Sequence, residues 1–440
     1  MSCRVGKALA TALAVALFVT LGLVHAGRVN VDYGRHDQDS YLAYAISQNE
    51  SNWTALGSRR QMPIYPMFLA LFYERNITLE EYFVRAKRVN IGLGLCVSLG
   101  LYLGLGRLLP RREARNVALV TIFFVLAFRA PYVQAEVLSY ASIFALFLLQ
   151  CAMWKRPSVA LAVAVGAATT FAFLVKGTAL LGLYVFSACF VMREIVRVLR
   201  ERAWATALKH FALCALAVGT FAALVFPYAK NSKTYFGGYL HDMNTRYVVW
   251  CDSWEHFQKL NLKWTSNEQW LAAPPNEVPS MKNYLATHSL GDMVVRELRG
   301  LAEVIGNCLV SHGYAPFFLL LATFCVALVV QNRTLRAEVF RARDLDWVGW
   351  FAIPYLAIHL LSFGFYGPVG AGNRFSLTMF LPGMYAMTRA FAGTARPEHR
   401  VRVGSLELDW AGFQTAFLVL LVIQIATYFP AAMVTHYSGG

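Results

Sequence analysis

Charge is scarce in this chain. Only 15% of its 440 residues are Asp, Glu, Lys or Arg, well below the quarter or so that soluble domains carry. That shortage, with 57% apolar residues and a mean hydropathy of +0.46, excludes an ordinary soluble protein of this length and points to a membrane. Signature motifs are missing too. There is no G-x-x-x-x-G-K-[ST], no strand-associated G-x-G-x-x-G, no H-E-x-x-H and no G-x-S-x-G. Their absence removes the common phosphate-loop, dinucleotide, zinc-protease and serine-hydrolase chemistries. The eight cysteines form no C-x-x-C and no metal-ligand spacing. Cys96, Cys151, Cys189, Cys214 and Cys325 lie inside apolar runs, where a thiol acts as a small hydrophobe. Cys251 and Cys308 lie in or beside one long loop and can pair if that loop is extracytoplasmic.

What the chain has is long apolar runs separated by short basic clusters. The net charge of +15 therefore reads as the positive-inside pattern and not as a nucleic-acid footprint. The runs lie near 7–26, 89–109, 116–130, 136–154, 157–175, 177–192, 210–228, 309–330, 347–366, 375–391 and 410–429. The first has the basic start and small-residue end of a signal peptide, but its length and the spans that follow favour a signal anchor. The expected fold is an all-α membrane protein, a polytopic bundle of about eleven transmembrane helices. It forms a single integral domain over 1–440 with two long extracytoplasmic loops, 27–88 and 229–301. Thr78 and Glu81 predict a capping box opening the second long helix.

Orientation follows from the basic residues. With the N-terminus cytoplasmic, Lys and Arg crowd the inner turns, and the short outer turns hold only Arg129, Lys176 and Arg374. The plasma (inner) membrane is the expected location. The second outer loop carries Trp250, Trp254, Trp264 and Trp270. They read either as an interfacial aromatic belt or as a surface for a sugar or lipid tail. Pro274, Pro275 and Pro279 break helices there and suggest a structured lid.

Ionisable groups at membrane depth are costly unless paired or wet, so each is a functional candidate. Glu136, Lys176 and Arg374 all lie at the outer ends of spans. Singly, each also fits a snorkelling or helix-packing role. Jointly with Asp37 and Asp39 of the first loop, they form a set that can hold a phosphate and leave a carboxylate free to take a proton. Asp37 also fits a plainer role, as the cap of a helix over SYLAYAIS.

Several segments carry a resemblance. DQDSYLAYA, with Asp37, Tyr41 and Ala45, resembles the first-loop motif of the GT-C glycosyltransferases, the superfamily of protein O-mannosyltransferases and the lipid A aminoarabinose transferase. RRQMPIYPMFLALFY is similar to the R-x-P-x-Y-P-x-x-L-A-L segment that follows there. RAKRVNIGLGLCVSLGLYLGLGRLLPRREAR, LVKGTALL and GNRFSLTMFLPG resemble later landmarks, over roughly 7–230 and again near 350–390. In that superfamily an acidic residue often follows the first-loop aspartate; here Gln38 intervenes.

The resemblance implies an integral membrane glycosyltransferase that moves a hexosyl or pentosyl unit from a polyprenyl-phosphate-linked donor. The acceptor is a hydroxyl on a glycan, lipid or protein at the extracytoplasmic face, and a single displacement inverts the anomeric centre. Asp37 is cast as the base, with Asp39 and Glu136 as further catalytic carboxylates. Lys176, Arg374 and Arg60 are expected at the donor phosphate, and Tyr41 and Tyr65 against substrate. No cofactor is expected, although the D-Q-D sequence also fits a divalent metal held by Asp37 and Asp39. The rival reading is a polytopic transporter or lipid flippase, which favours inverted repeats and polar groups at mid-membrane. A catalytically silent membrane scaffold is a third.

Overall fold

In a computed structural model of the chain, which describes all residues except Met1, Leu56, Ser58, His312, 342–344, Ala371 and 437–440, each apolar run is helical over most of its length. Helix α1 (Ser2–Arg28) leads into the first loop, which folds as two short helices, α2 (Gln38–Glu50) and α3 (Ile64–Ala70), before α4 (Leu79–Leu108). The capping box is present: Thr78 Oγ1 accepts the Glu81 N–H at 3.2 Å, and Glu81 Oε2 accepts the Thr78 N–H at 2.8 Å. Buried Lys87 on α4 donates to the carbonyls of Ala26 (2.6 Å) and Asn30 (2.8 Å). A cation there satisfies the orphan carbonyls and the negative end of the α1 dipole together.

Next come α5 (Arg111–Thr121), a π-helical stretch Ile122–Leu126, α6 (Ala127–Arg129), α7 (Glu136–Lys155), α8 (Val159–Val175), α9 (Ala179–Glu201) and α10 (Trp204–Phe236). Eight helices are long and apolar enough to cross a membrane, and the protein is an integral, multi-pass membrane protein. The remaining three of the expected eleven spans are helical but less clear-cut. Helix α8 has 17 residues, the π stretch interrupts α5 and α6, and α19 (below) carries an arginine near each end.

At the second loop, α10 runs on to Phe236 and α15 (Leu290–Val310) begins before residue 301. Between them lie α11 (Met243–Arg246), α12 (Trp254–Lys263), α13 (Asn267–Ala272) and α14 (Met281–Thr287). These short helices enclose a small core of Met243, Tyr247, Phe257, Trp264 and Trp270. Trp264 and Trp270 are therefore loop-core residues and not part of an aromatic belt. Trp254 stays 45% exposed.

Helix α15 ends where one continuous span was expected from 309, and α16 (Tyr314–Gln331) restarts after Gly313, whose φ of 76° breaks the helix. Then follow α17 (Arg333–Arg341), a second π stretch Val348–Ala352, α18 (Ile353–Gly370), α19 (Asn373–Ala392) and α20 (Trp410–Thr435). Helices α15 and α18 cross closely at glycines. A Cβ on Gly300 would lie 1.8 Å from the Gly364 carbonyl oxygen, so any side chain there forces the pair apart. From α15, Arg296 donates to the carbonyls of Phe365 (3.0 Å) and Val249 (2.8 Å), tying the second loop to α18.

Among the described residues the departure from all-α is one antiparallel hairpin, β1 (Arg400–Val403) with β2 (Leu406–Asp409). Gly404, at φ 61°, supplies the left-handed position its tight turn requires. Cys251 and Cys308 are free thiols, so the pairing that the sequence left open is not made.

Candidate active site

Several helix ends meet around one cavity of about 760 Å³. Glu136 opens α7 and Lys176 closes α8, and this antiparallel packing brings Lys176 Nζ to 2.9 Å from Glu136 Oε1. Glu136 is buried and Lys176 partly so, and among the described residues Glu136 Oε2 has no hydrogen-bond partner. Arg374, one residue into α19, reaches Asp37 Oδ2 with both terminal nitrogens at 3.3 Å. Its backbone is pinned by the Tyr140 hydroxyl, which donates to the Arg374 carbonyl at 2.9 Å. Two cations and two carboxylates thus converge from four helix ends, and all four line the cavity.

Asp37 owes its aim to backbone geometry. It stands at the N-cap position of α2, yet its side chain caps nothing. An ordinary N-cap residue is extended and turns its oxygen back onto the helix. Here His36 and Asp37 are both left-handed, at φ 57° and 64°, which turns the carboxylate toward Arg374. Such a conformation costs on the order of 1–3 kcal/mol per non-glycine residue and persists only where the surroundings enforce it.

Gln38 does the enforcing. It is fully buried; its Nε2 donates to Asn30 Oδ1 (2.9 Å) and to the Arg35 carbonyl (3.2 Å), and its Oε1 accepts from Val133 N–H (2.9 Å). Gln134 completes the clamp by donating to the His36 carbonyl at 2.7 Å. Nothing in the sequence marked Gln38 as more than a departure from an acidic position. A carboxylate there would lose the donors that bind Asn30 and Arg35. Burial and the Arg374 guanidinium push the His36 imidazole below its usual range.

The other expected residues divide. Asp39 lines the cavity and accepts the Ser40 N–H at 2.7 Å. Tyr41 also lines it, edge-on to Tyr65 at 5.3 Å between ring centroids. Tyr65 itself lies behind the wall, fully buried, with its hydroxyl donating to Asn90 at 3.2 Å; it supports Tyr41 and does not reach the cavity. Arg60 lines the cavity, where it binds Asn261 and lies over the Phe257 ring at 5.5 Å. Neighbouring Arg59 points elsewhere, to Asn231 (2.7 Å) and the Tyr228 ring (4.0 Å). Among the described residues no three of His, Cys, Asp and Glu gather as a metal site.

One cavity carboxylate escaped sequence reasoning altogether. Asp242, from the second loop, is buried, caps α11 by accepting the Asn244 N–H at 3.0 Å, and makes no ion pair among the described residues. Burial pushes its carboxyl up to about 6. Its only sequence signal is an aspartate two residues before an asparagine in a loop of unassigned role.

No protein-family model and no curated protein matches the sequence. In structure, the chain is similar to ArnT from Cupriavidus metallidurans bound to undecaprenyl phosphate, at 14% identity and a TM-score of 0.47, over 98% of this chain and 74% of that one. It is also similar to the apo oligosaccharyltransferase of Archaeoglobus fulgidus, at 13% identity and a TM-score of 0.45, over 97% of this chain and 56% of that one. The chain thus spans little more than half the length of the latter.

Proposed function

We propose that the protein transfers a sugar from a polyprenyl-phosphate donor to an acceptor hydroxyl, at the extracytoplasmic face of the plasma membrane and with the N-terminus inside. The observation that carries this reading is the convergence of Lys176, Arg374, Asp37 and Glu136 on one cavity at the ends of membrane helices. A lipid-linked sugar presents its activated carbon at the headgroup. Its leaving group is a phosphate, which needs positive charge at the bond being broken more than it needs a proton.

Lys176 and Arg374 supply that charge, as a point ammonium and a planar fork respectively. Arg374 holds Asp37 until a phosphate competes for the guanidinium. The freed carboxylate then takes the acceptor proton as the acceptor oxygen attacks the anomeric carbon. Attack opposite the departing phosphate is a single displacement and inverts the centre. Glu136 stays paired with Lys176 and keeps the ammonium aimed at the cavity. A second, largely apolar groove of about 280 Å³ suits an isoprenoid chain. Tyr140 lines it while holding the Arg374 backbone, so a lipid tail there would place its phosphate near the cation.

The test is reconstitution of the full chain in nanodiscs with labelled polyprenyl-phosphate sugars and hydroxyl acceptors. Label should pass to the acceptor with an inverted anomeric configuration by NMR. Flipping of the lipid between leaflets with no bond broken would replace this reading with transport.

A further inference from the structure

The cavity has a second wall whose chemistry differs from its floor. Residues of α11 and α12 build it: Asp242, Asn244, Gln258 and Asn261, with Trp254 and Phe257 presenting aromatic faces. Its one cation, Arg60, is already bound to Asn261 and laid on Phe257. Arg60 keeps its charge there and the one carboxylate, Asp242, offsets it, so the wall carries no net charge to select an anionic or a cationic acceptor. Amides, a buried carboxylate and an open indole instead match hydroxyls and the apolar C–H faces of a sugar ring.

Two glycines hold this wall against the floor. A Cβ on Gly177 would lie 3.3 Å from Asp242 Oδ2, and Gly177 follows Lys176 directly. A Cβ on Gly370 would lie 3.8 Å from Trp254 Cε3, and Gly370 ends α18, four positions before Arg374. Each wall residue therefore abuts the backbone beside one cation of the floor. A ligand gripped by Asp242 and Trp254 sits next to any phosphate held by Lys176 and Arg374.

Resting on the proposed reaction, we infer that the wall formed by 242–261 is the acceptor subsite and that it takes a neutral carbohydrate. Asp242 accepts hydrogen bonds from acceptor hydroxyls, and Trp254 stacks on a sugar ring. The second loop is then the specificity element of the enzyme, laid over a floor that handles only the donor.

The experiment uses the full chain in nanodiscs and saturation-transfer NMR, which detects millimolar binding. The probes are neutral gluco-, manno- and arabino-tetrasaccharides, a serine/threonine-rich peptide and a phosphorylated glycolipid. At least one tetrasaccharide should give signal with the wild type. That signal should fall at least about tenfold in Trp254→Ala, whose side chain is exposed and whose loss spares the fold, and in Asp242→Asn. Binding of undecaprenyl phosphate to the same samples should change by less than about twofold, because neither residue touches the floor cations. Absence of any tetrasaccharide signal, signal only from the peptide or glycolipid, or equal signal in all three proteins overturns the inference. Failure of the wild type to bind undecaprenyl phosphate would instead strike the donor reading.

Discussion

The molecule carries two clusters of charge at opposite ends of its helices. At one end, the outer one in the proposed orientation, stand Asp37, Glu136, Lys176 and Arg374. At the other end Glu194 is fully buried among Arg193 (2.7 Å), Arg197 (2.9 Å) and His210 (3.1 Å), and Arg193 also donates to the Trp154 carbonyl at 3.0 Å. Both clusters mix acids and bases in an apolar frame. The inner one is closed, since its carboxylate has three partners and no exposed surface. The outer one is open: the Asp37 side chain is 51% exposed, and one Glu136 oxygen has no partner. Charge in a membrane protein is thus not itself a site. Unspent valence facing a cavity is.

Breaking each cluster should show that difference, and the largest effect is expected at the inner one. Glu194→Gln leaves two arginines without their anion, and removing one member of a buried pair costs about 3–5 kcal/mol. Denaturant unfolding in detergent should register that loss, while activity per folded molecule stays unchanged. Asp37→Asn should do the reverse. Its side chain caps nothing, so stability should hold, while transfer falls by about 10²-fold or more, as for a lost general base. A near wild-type rate in purified Asp37→Asn would remove that residue from the mechanism.

Lys176 sharpens the comparison because it belongs to both types. Lys176→Met should weaken donor binding and also destabilise the fold by leaving Glu136 buried without its cation. Adding Glu136→Gln should restore stability but not donor affinity. If affinity returns as well, the pair is a rivet like the inner one.

Asp242 offers a test through pH. Its folded carboxyl, at about 6, holds its proton more tightly than an ordinary aspartate at 3.8. Its contribution to stability is therefore full below about pH 4 and is lost as pH rises through about 6, on the order of 3 kcal/mol in all. Asp242→Asn keeps the cap, removes the buried charge, and should raise the thermal midpoint at pH 7.5 while leaving it unchanged near pH 4. An equal midpoint at both values would mean that the charged form is not penalised.

The smallest effect is expected from chelation. Asp37 is engaged by Arg374 and Asp39 by the Ser40 N–H. Two carboxylates with separate partners predict that excess EDTA changes the transfer rate by less than about twofold. Asp39→Asn should be similarly mild. A tenfold loss with recovery on added magnesium or manganese would establish a metal between them.

The sequence by itself determined the helical membrane frame, because a span needs an uninterrupted apolar run and such runs are visible without partners. It determined the capping box at Thr78 for the same reason, since a cap is satisfied within four residues. It also singled out Glu136, Lys176 and Arg374, because an isolated charge beside apolar runs is legible wherever it points. What only the tertiary structure decided was who meets whom. Arg374 and Asp37 lie 337 positions apart, and no local rule pairs them. Gln38 looked like a defect in a motif until its buried clamp explained how Asp37 is aimed. Trp264 and Trp270 became core, Tyr65 fell behind the wall, and Asp242 entered the cavity. Each of those outcomes depends on desolvation and on contacts between distant segments, and burial is a property of the folded neighbourhood that no stretch of sequence carries alone.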